Sequence, residues 1–347
     1  MNKTFGYLFF LLLTLIVVMF VGLSNNEIAD MTSALLTVNP IYIVCCFFCY
    51  LVYLLLDATG VHLFLRSQGQ KIKFKGSLYS SINGLLYSNI TPGATGGQPM
   101  QMYALSRYNV PVALSGSAVA IKFFIFECML LFLGSLLWIC NIKTMSVHLK
   151  GIELFVVFGY VANFFSIALV LLVMLNGRFV DAGMKWMVRV LTKLHLCKNP
   201  EKTIAKWENH LYGFTNSVSL VWKNPKSLIL LCVVNVLQIF ALMSITYAIA
   251  CAFSIYEGSF IEIITLSTLL YISAGYTPLP GASGAQEAGF NVFFQGIFIE
   301  PSQRFVALLI WRFFTYYITI VLGFIVAVYV QLLDLKKKNK SKKNESV

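Results

Sequence analysis

Between residues 227 and 253 the chain carries no Asp, Glu, Lys or Arg. A run this long and this apolar has one natural solvent. About 20 helical residues at ~1.5 Å each cross the ~30 Å hydrocarbon layer of a bilayer. Similar runs occupy residues 5–23, 41–65, 112–140, 152–175 and 305–333. In lipid every backbone N–H and C=O must be paired within the protein, so only helices or closed barrels span, and runs of this length select helices. Composition agrees. With 58% of 347 residues hydrophobic and 12% charged, a soluble body could not cover its own surface. The expected class is an all-α integral membrane protein, a polytopic helical bundle.

The formal charge of +12 is unevenly placed. Arg66, Lys71, Lys73 and Lys75 follow the second run without an acid among them. The loop 176–226 holds nine Lys or Arg against three Asp or Glu, and the tail 336–347 is rich in lysine. Segment 24–39 has Glu27 and Asp30 but no base. By the positive-inside rule the N-terminus, the basic loops and the C-terminal tail are cytoplasmic, in a multi-pass protein of the cell membrane. Lys143 and Lys150, in a loop assigned to the outside, run mildly against the rule. Residues 5–23 could instead be a signal peptide. Its apolar core would be shorter, so an uncleaved first span is expected.

The charges lie between spans rather than on a compact basic domain, which disfavours nucleic acid as a partner. Within the long basic loop, Lys185, Arg189 and Lys193 share a helical face opposite Met184, Met187, Val188, Leu191 and Leu194. Such a helix lies on an anionic leaflet or packs on the protein's own cytoplasmic side, and both readings stand. The tail is expected to be without order. Of eight cysteines only Cys197 lies in a polar loop; the others sit in apolar runs without metal-ligand spacing. No metal or cofactor is expected, and no nucleophile–base motif or nucleotide loop appears.

One heptapeptide occurs twice. Pro92-Gly93-Ala94-Thr95-Gly96-Gly97-Gln98 returns, about half the chain later, as Pro280-Gly281-Ala282-Ser283-Gly284-Ala285-Gln286, with five of seven positions identical. Each copy breaks an apolar segment too short to cross. Residues 78–90 rise only about 20 Å as a helix. Two re-entrant hairpins, 78–107 and 260–299, are the economical reading. Each half then reads span, span, hairpin, span, the first starting inside and the second outside. That is an inverted-topology repeat, 1–150 and 151–335, with about six full spans and two hairpins whose tips meet from opposite sides.

Paired Gly/Pro interruptions in two halves mark a transporter's binding site. Non-helical backbone at depth is tolerated where it lines a wet cavity or is buried in protein. Thr95-x-x-Gln98 and Ser283-x-x-Gln286 fit a capping box, so a half-helix should start just after each break. Helix N-termini bring free N–H groups and partial positive charge, which suits a phosphate. Packing kinks capped internally are the plain alternative. Lys122, Glu127, Glu287 and Arg312 lie within apolar segments and need a cavity or a partner. Lys122 and Arg312 would bind phosphate or pair with Glu127 or Glu287. Glu287 would support its helix start or hold a ligand cation. Asn83, Asn89, Asn163, Asn235 and Gln238 read first as interhelical hydrogen bonds. Asp57 and His62 read as headgroup-level residues. The substrate-site candidates are therefore Asn89, Pro92, Gly93, Thr95, Gly96, Gly97, Gln98, Lys122, Glu127, Pro280, Gly281, Ser283, Gly284, Gln286, Glu287 and Arg312.

Asn89-x-x-Pro92-Gly93-x-x-Gly96-Gly97-Gln98, then Pro278-x-Pro280-Gly281-x-x-Gly284-x-x-Glu287, and Arg312 with 316–323 resemble the flippase-like transmembrane region of lysylphosphatidylglycerol synthases, over nearly the whole chain. The resemblance implies movement of an anionic or aminoacylated phospholipid between leaflets. Bifunctional members carry a soluble aminoacyl-transferase domain, and this chain is expected to lack it. Gln98 and Gln101 stand where relatives have an acid and then Arg, and Lys122 and Glu127 also depart from the usual charges, so the headgroup's charge is open. Two other readings are a lipid aminoacyl- or glycosyl-transferase fragment and a non-transporting partner of a lipid synthase.

Overall fold

Asn39 and Pro40 start one long helix, and Asn224 and Pro225 start another by the same device. In each, the Asn side chain accepts a backbone N–H of the first turn, from Ile41 at 3.0 Å and from Ser227 at 3.2 Å. Pro sits where no hydrogen bond is needed. The computed structural model describes residues 28–193, 200–256 and 258–345, and all regular structure in them is helical. The expected span 5–23 lies outside the described residues.

In chain order the helices are α1 (Ile28–Leu36), α2 (Pro40–Ser67), α3 (Phe74–Ile90), α4 (Gly97–Ser106), α5 (Val112–Cys140), α6 (Ile142–His148) and α7 (Glu153–Leu175). Then come α8 (Gly177–Lys193), α9 (Pro200–Trp222), α10 (Pro225–Ala252), α11 (Phe260–Ala274), α12 (Ala285–Phe293), α13 (Pro301–Arg312) and α14 (Ile318–Glu345). A π-helical turn, Phe313–Tyr317, joins α13 to α14. Among the described residues five helical stretches are long and apolar enough to cross a bilayer: α2, α5, α7, α10 and Pro301–Leu332. Their outward side chains, among them Phe47, Phe48, Phe158, Phe164, Ile229 and Ile325, are exposed. Hydrocarbon is the only solvent that accepts such a band. The chain is an all-α polytopic membrane protein.

The hairpins take shape from small residues. α3 and α4 lie against each other along Gly84 and Gly97. A Cβ on Gly97 would stand 1.9 Å from Ser88 Oγ and 2.9 Å from the Gly84 carbonyl oxygen. Ser80 Oγ donates to the Gln101 carbonyl at 3.0 Å across the same seam. α3 begins at Phe74, one turn before the expected start of the hairpin. In the second hairpin α11 is clamped from outside. A Cβ on Gly159 of α7 would lie 2.4 Å from Ser273 Cα, and Asn163 Nδ2 donates to the Ile272 carbonyl at 3.0 Å. Ser259 and Glu262 close a capping box at the start of α11, and Glu262 also meets His148 Nε2 at 2.7 Å. An aromatic cluster of Phe290, Phe294, Phe298 and Trp311 fixes α12 against α13.

Two expectations need correction. The lysine-rich tail continues as helix to Glu345, because lysines are good helix formers and extend a helix already nucleated by the span. The loop 176–226 is largely two helices, α8 and α9. α9 packs on the first turns of α5, where Ser117 Oγ donates to the Phe214 carbonyl at 3.3 Å. Lys185 bridges the two helices, to Asp181 at 2.8 Å and Glu208 at 2.9 Å. The hydrogen bond to Asp181, then that to Glu208, holds its ammonium above the ordinary lysine range.

Candidate functional site

Both heptapeptides open with the same Pro-Gly-Ala turn and then diverge, Gly96 at φ −79° and Gly284 at φ 87°. Pro92 and Pro280 open a single 3₁₀ turn. Gly93 follows at φ 58°, ψ 26°, and Gly281 at φ 59°, ψ 21°. The next residue is left-handed too, Ala94 at φ 56° and Ala282 at φ 51°. Two successive positive φ values reverse the chain within one turn, which glycine at the first position makes cheap. The hydroxyl after the turn then donates back to the proline carbonyl, Thr95 Oγ1 at 3.0 Å and Ser283 Oγ at 2.8 Å.

That last bond corrects the capping reading. Thr95 and Ser283 are spent on the turn, so neither Thr95…Gln98 nor Ser283…Gln286 forms a capping box. The caps lie one residue later. Glu287 Oε2 accepts the Gly284 N–H at 2.6 Å, and Thr91 Oγ1 accepts the Gly96 N–H at 2.9 Å. Glu287 therefore occupies the positive end of α12 as its own anion. The N-terminus of α4 carries no acid in its first turn.

The two turns pack against each other, and a cavity of about 660 Å³ opens beside them. Of the expected site residues, Asn89, Gly93, Thr95, Gly97, Gln98, Lys122, Glu127, Gly281, Gln286 and Arg312 line it. Pro92, Gly96, Pro280, Ser283, Gly284 and Glu287 do not line it. The remaining wall is contributed by α2, α7, α10, α11 and the α13–α14 junction. It mixes polar and apolar groups: Tyr50, Gln238, Ser267 and Thr319 beside Leu169, Val170, Leu242 and Leu279.

Both basic side chains of this cavity are paired with acids. Arg312 and Glu287 are each 2% exposed. Arg312 Nε donates to Glu287 Oε1 at 2.7 Å, and Nη2 stands 2.6 Å from the same oxygen. Nη1 donates to Gln286 Oε1 at 2.8 Å and to the Gly281 carbonyl at 3.2 Å. One guanidinium thus holds two residues of the second heptapeptide and Glu287 just after it, flanked by the rings of Trp311 and Tyr316. The π-helical turn follows at once, and such turns cluster at functional sites. It carries Tyr316, whose ring lies 2.1 Å from where a Cβ on Gly281 would be.

Lys122 pairs with neither Glu127 nor Glu287. Its Nζ meets Asp57 Oδ1 at 2.5 Å, and Gln238 Nε2 donates to the same oxygen at 2.9 Å. Asp57, expected to meet headgroups, is 2% exposed and lines the cavity with Lys122 as its partner. The sequence did hold a signal for it: a carboxylate within an apolar run, needing a cation, with Lys122 equally in need. Asn163 and Gln238 bond between helices as expected. Asn83 and Asn235 instead donate to their own helices, to the carbonyls of Tyr79 and Leu231. Glu127 is 7% exposed, and its Oε2 has no partner. No cluster of metal-ligand type occurs among the described residues.

Residues 6–323 match the sequence profile of a family described as the lysylphosphatidylglycerol synthase TM region. A UPF0104 membrane protein of Archaeoglobus fulgidus is 22% identical over 313 residues, covering 88% of this chain and 92% of that one.

Proposed function

The chain belongs to the family of lysylphosphatidylglycerol synthase transmembrane regions, and from that premise we propose that it is a lipid flippase. An anionic or aminoacylated phospholipid headgroup enters the cavity between the two broken hairpins while its acyl chains stay in the bilayer. The carrying observation is the pair of matched Pro-Gly-Ala turns meeting beside a 660 Å³ cavity whose wall holds two buried ion pairs. A cavity that served only packing has no use for charges that are expensive to bury. The phosphate sits at the open N-terminus of α4, near Gly97 and Gln98, and shares Lys122 and Arg312 with their carboxylates. The halves 1–150 and 151–335 act as an inverted repeat, with both termini and the α8–α9 pair on the cytoplasmic side, where the basic face of α8 rests on anionic lipid.

Flipping of tail-labelled phospholipid in proteoliposomes, read by dithionite quenching, tests this. Wild-type protein should expose inner-leaflet label, and Gly96→Leu or Gly284→Leu should stop it. A quenched fraction equal to that of protein-free liposomes would remove the reading. So would full activity in both leucine variants, which would favour a non-transporting partner of a lipid synthase.

A further inference from the structure

The charges around the cavity do not cancel. Four ionisable acids and bases line it: Asp57, Lys122, Glu127 and Arg312. Lys122 is matched by Asp57, and Arg312 by Glu287. Glu127 has no counterpart. It is 93% buried by its 7% exposure, and it forms no ion pair or hydrogen bond among the described residues. Lys122 lies on the same helix but five residues away, off its face, and its ammonium is committed to Asp57. From the neighbouring α11 and the link after it, Tyr271 and Tyr276 are within electrostatic range of Glu127. Other polar side chains of the cavity wall, among them Asn163, Ser166, Ser267 and Thr277, carry no charge.

With Glu127 ionised, an anionic headgroup entering alone would meet a wall with one surplus negative charge. A buried carboxyl left alone takes up a proton; it stays ionised where something supplies the missing positive charge. We infer that Glu127 is a binding point for one monovalent cation: the ammonium of a zwitterionic headgroup, or an alkali ion taken up from solution with or without an anionic headgroup. The first source rests on the flippase reading of the cavity; the second does not.

Native mass spectrometry of the full-length protein in nanodiscs tests both, with phosphatidylethanolamine and phosphatidylglycerol as probes, in sodium chloride and in N-methyl-D-glucamine chloride. If the headgroup supplies the cation, wild type retains phosphatidylethanolamine about tenfold better (~1.4 kcal/mol), and Glu127→Gln erases the preference. If an ion supplies it, phosphatidylglycerol retention falls about tenfold without sodium in wild type, and Glu127→Gln erases that dependence. Wild type showing neither effect overturns the inference without need of a variant. A correctly assembled Glu127→Gln protein that keeps the wild-type effect overturns it as well. Should wild type bind no lipid in any buffer, the flippase reading fails by itself. A sodium-dependent rise in unfolding temperature, lost in Glu127→Gln, would then still support the cation site, and no rise would end it.

Discussion

Replacing Glu287 with Gln removes the carboxylate from a pair in which both side chains are 2% exposed. Breaking a buried pair from one side costs about 3–5 kcal/mol, because the survivor is left as an uncompensated charge. Arg312 keeps two neutral acceptors, the Gly281 carbonyl and Gln286 Oε1, which sets the expected loss near the lower end, ~3 kcal/mol. The glutamine amide oxygen still accepts the Gly284 N–H, so the start of α12 survives. Arg312→Met leaves the Glu287 carboxylate buried with only that N–H, at a similar cost of ~3–5 kcal/mol. The double variant has no stranded charge and should lie within about 1–2 kcal/mol of wild type, giving a coupling of roughly 4–7 kcal/mol. Steric-trap unfolding in bicelles measures all four corners of the cycle. Single variants within ~0.5 kcal/mol of wild type, or a double variant as unstable as the sum of the singles, would refute the reasoning. Flipping separates structure from function. A stable double variant that still transports would show the pair to be scaffold, whereas Arg312 as a phosphate ligand requires that transport be lost.

Gly281→Ala should destabilise by about 2–5 kcal/mol, from a positive φ together with overlap on the Tyr316 ring. Gly69→Ala, also at positive φ but with open space around it, should cost only about 1 kcal/mol. Thermal unfolding of the two side by side checks the difference. Asp57→Ala strands Lys122 and should lower stability by about 3 kcal/mol, with Lys122→Met in the same chain restoring most of it. Ser259→Ala removes one arm of the α11 capping box. Its expected cost is about 1 kcal/mol, seen in hydrogen exchange as faster opening of the first turn of α11 and nowhere else.

Much of the site was legible before any coordinates, but unevenly. The heptapeptide copies announce themselves because proline and glycine act locally. Pro fixes its own φ, and Gly admits the left-handed turn, so both breaks follow from the residues alone. The Asn-Pro starts of α2 and α10 are local in the same way, since Asn accepts a first-turn N–H and Pro needs no hydrogen bond there. Pairing was a different matter. Lys122 has Glu127 nearby in sequence, yet its partner is Asp57 on another helix. Arg312 reaches back to Glu287, Gln286 and Gly281 only because α12 folds onto α13. Capping was misread by one residue, as Thr95 and Ser283 turn back to their prolines instead of forward to the helix.

By itself the sequence determined that this chain is helical, lies in a bilayer and is broken twice in the same manner. Those properties depend on solvent transfer and on backbone preferences, both carried by residues within a few positions of one another. The tertiary structure decided which buried charge answers which, and that Glu127 has no answer. Electrostatic partners are chosen by distance in space, and helix packing brings together residues far apart in the chain.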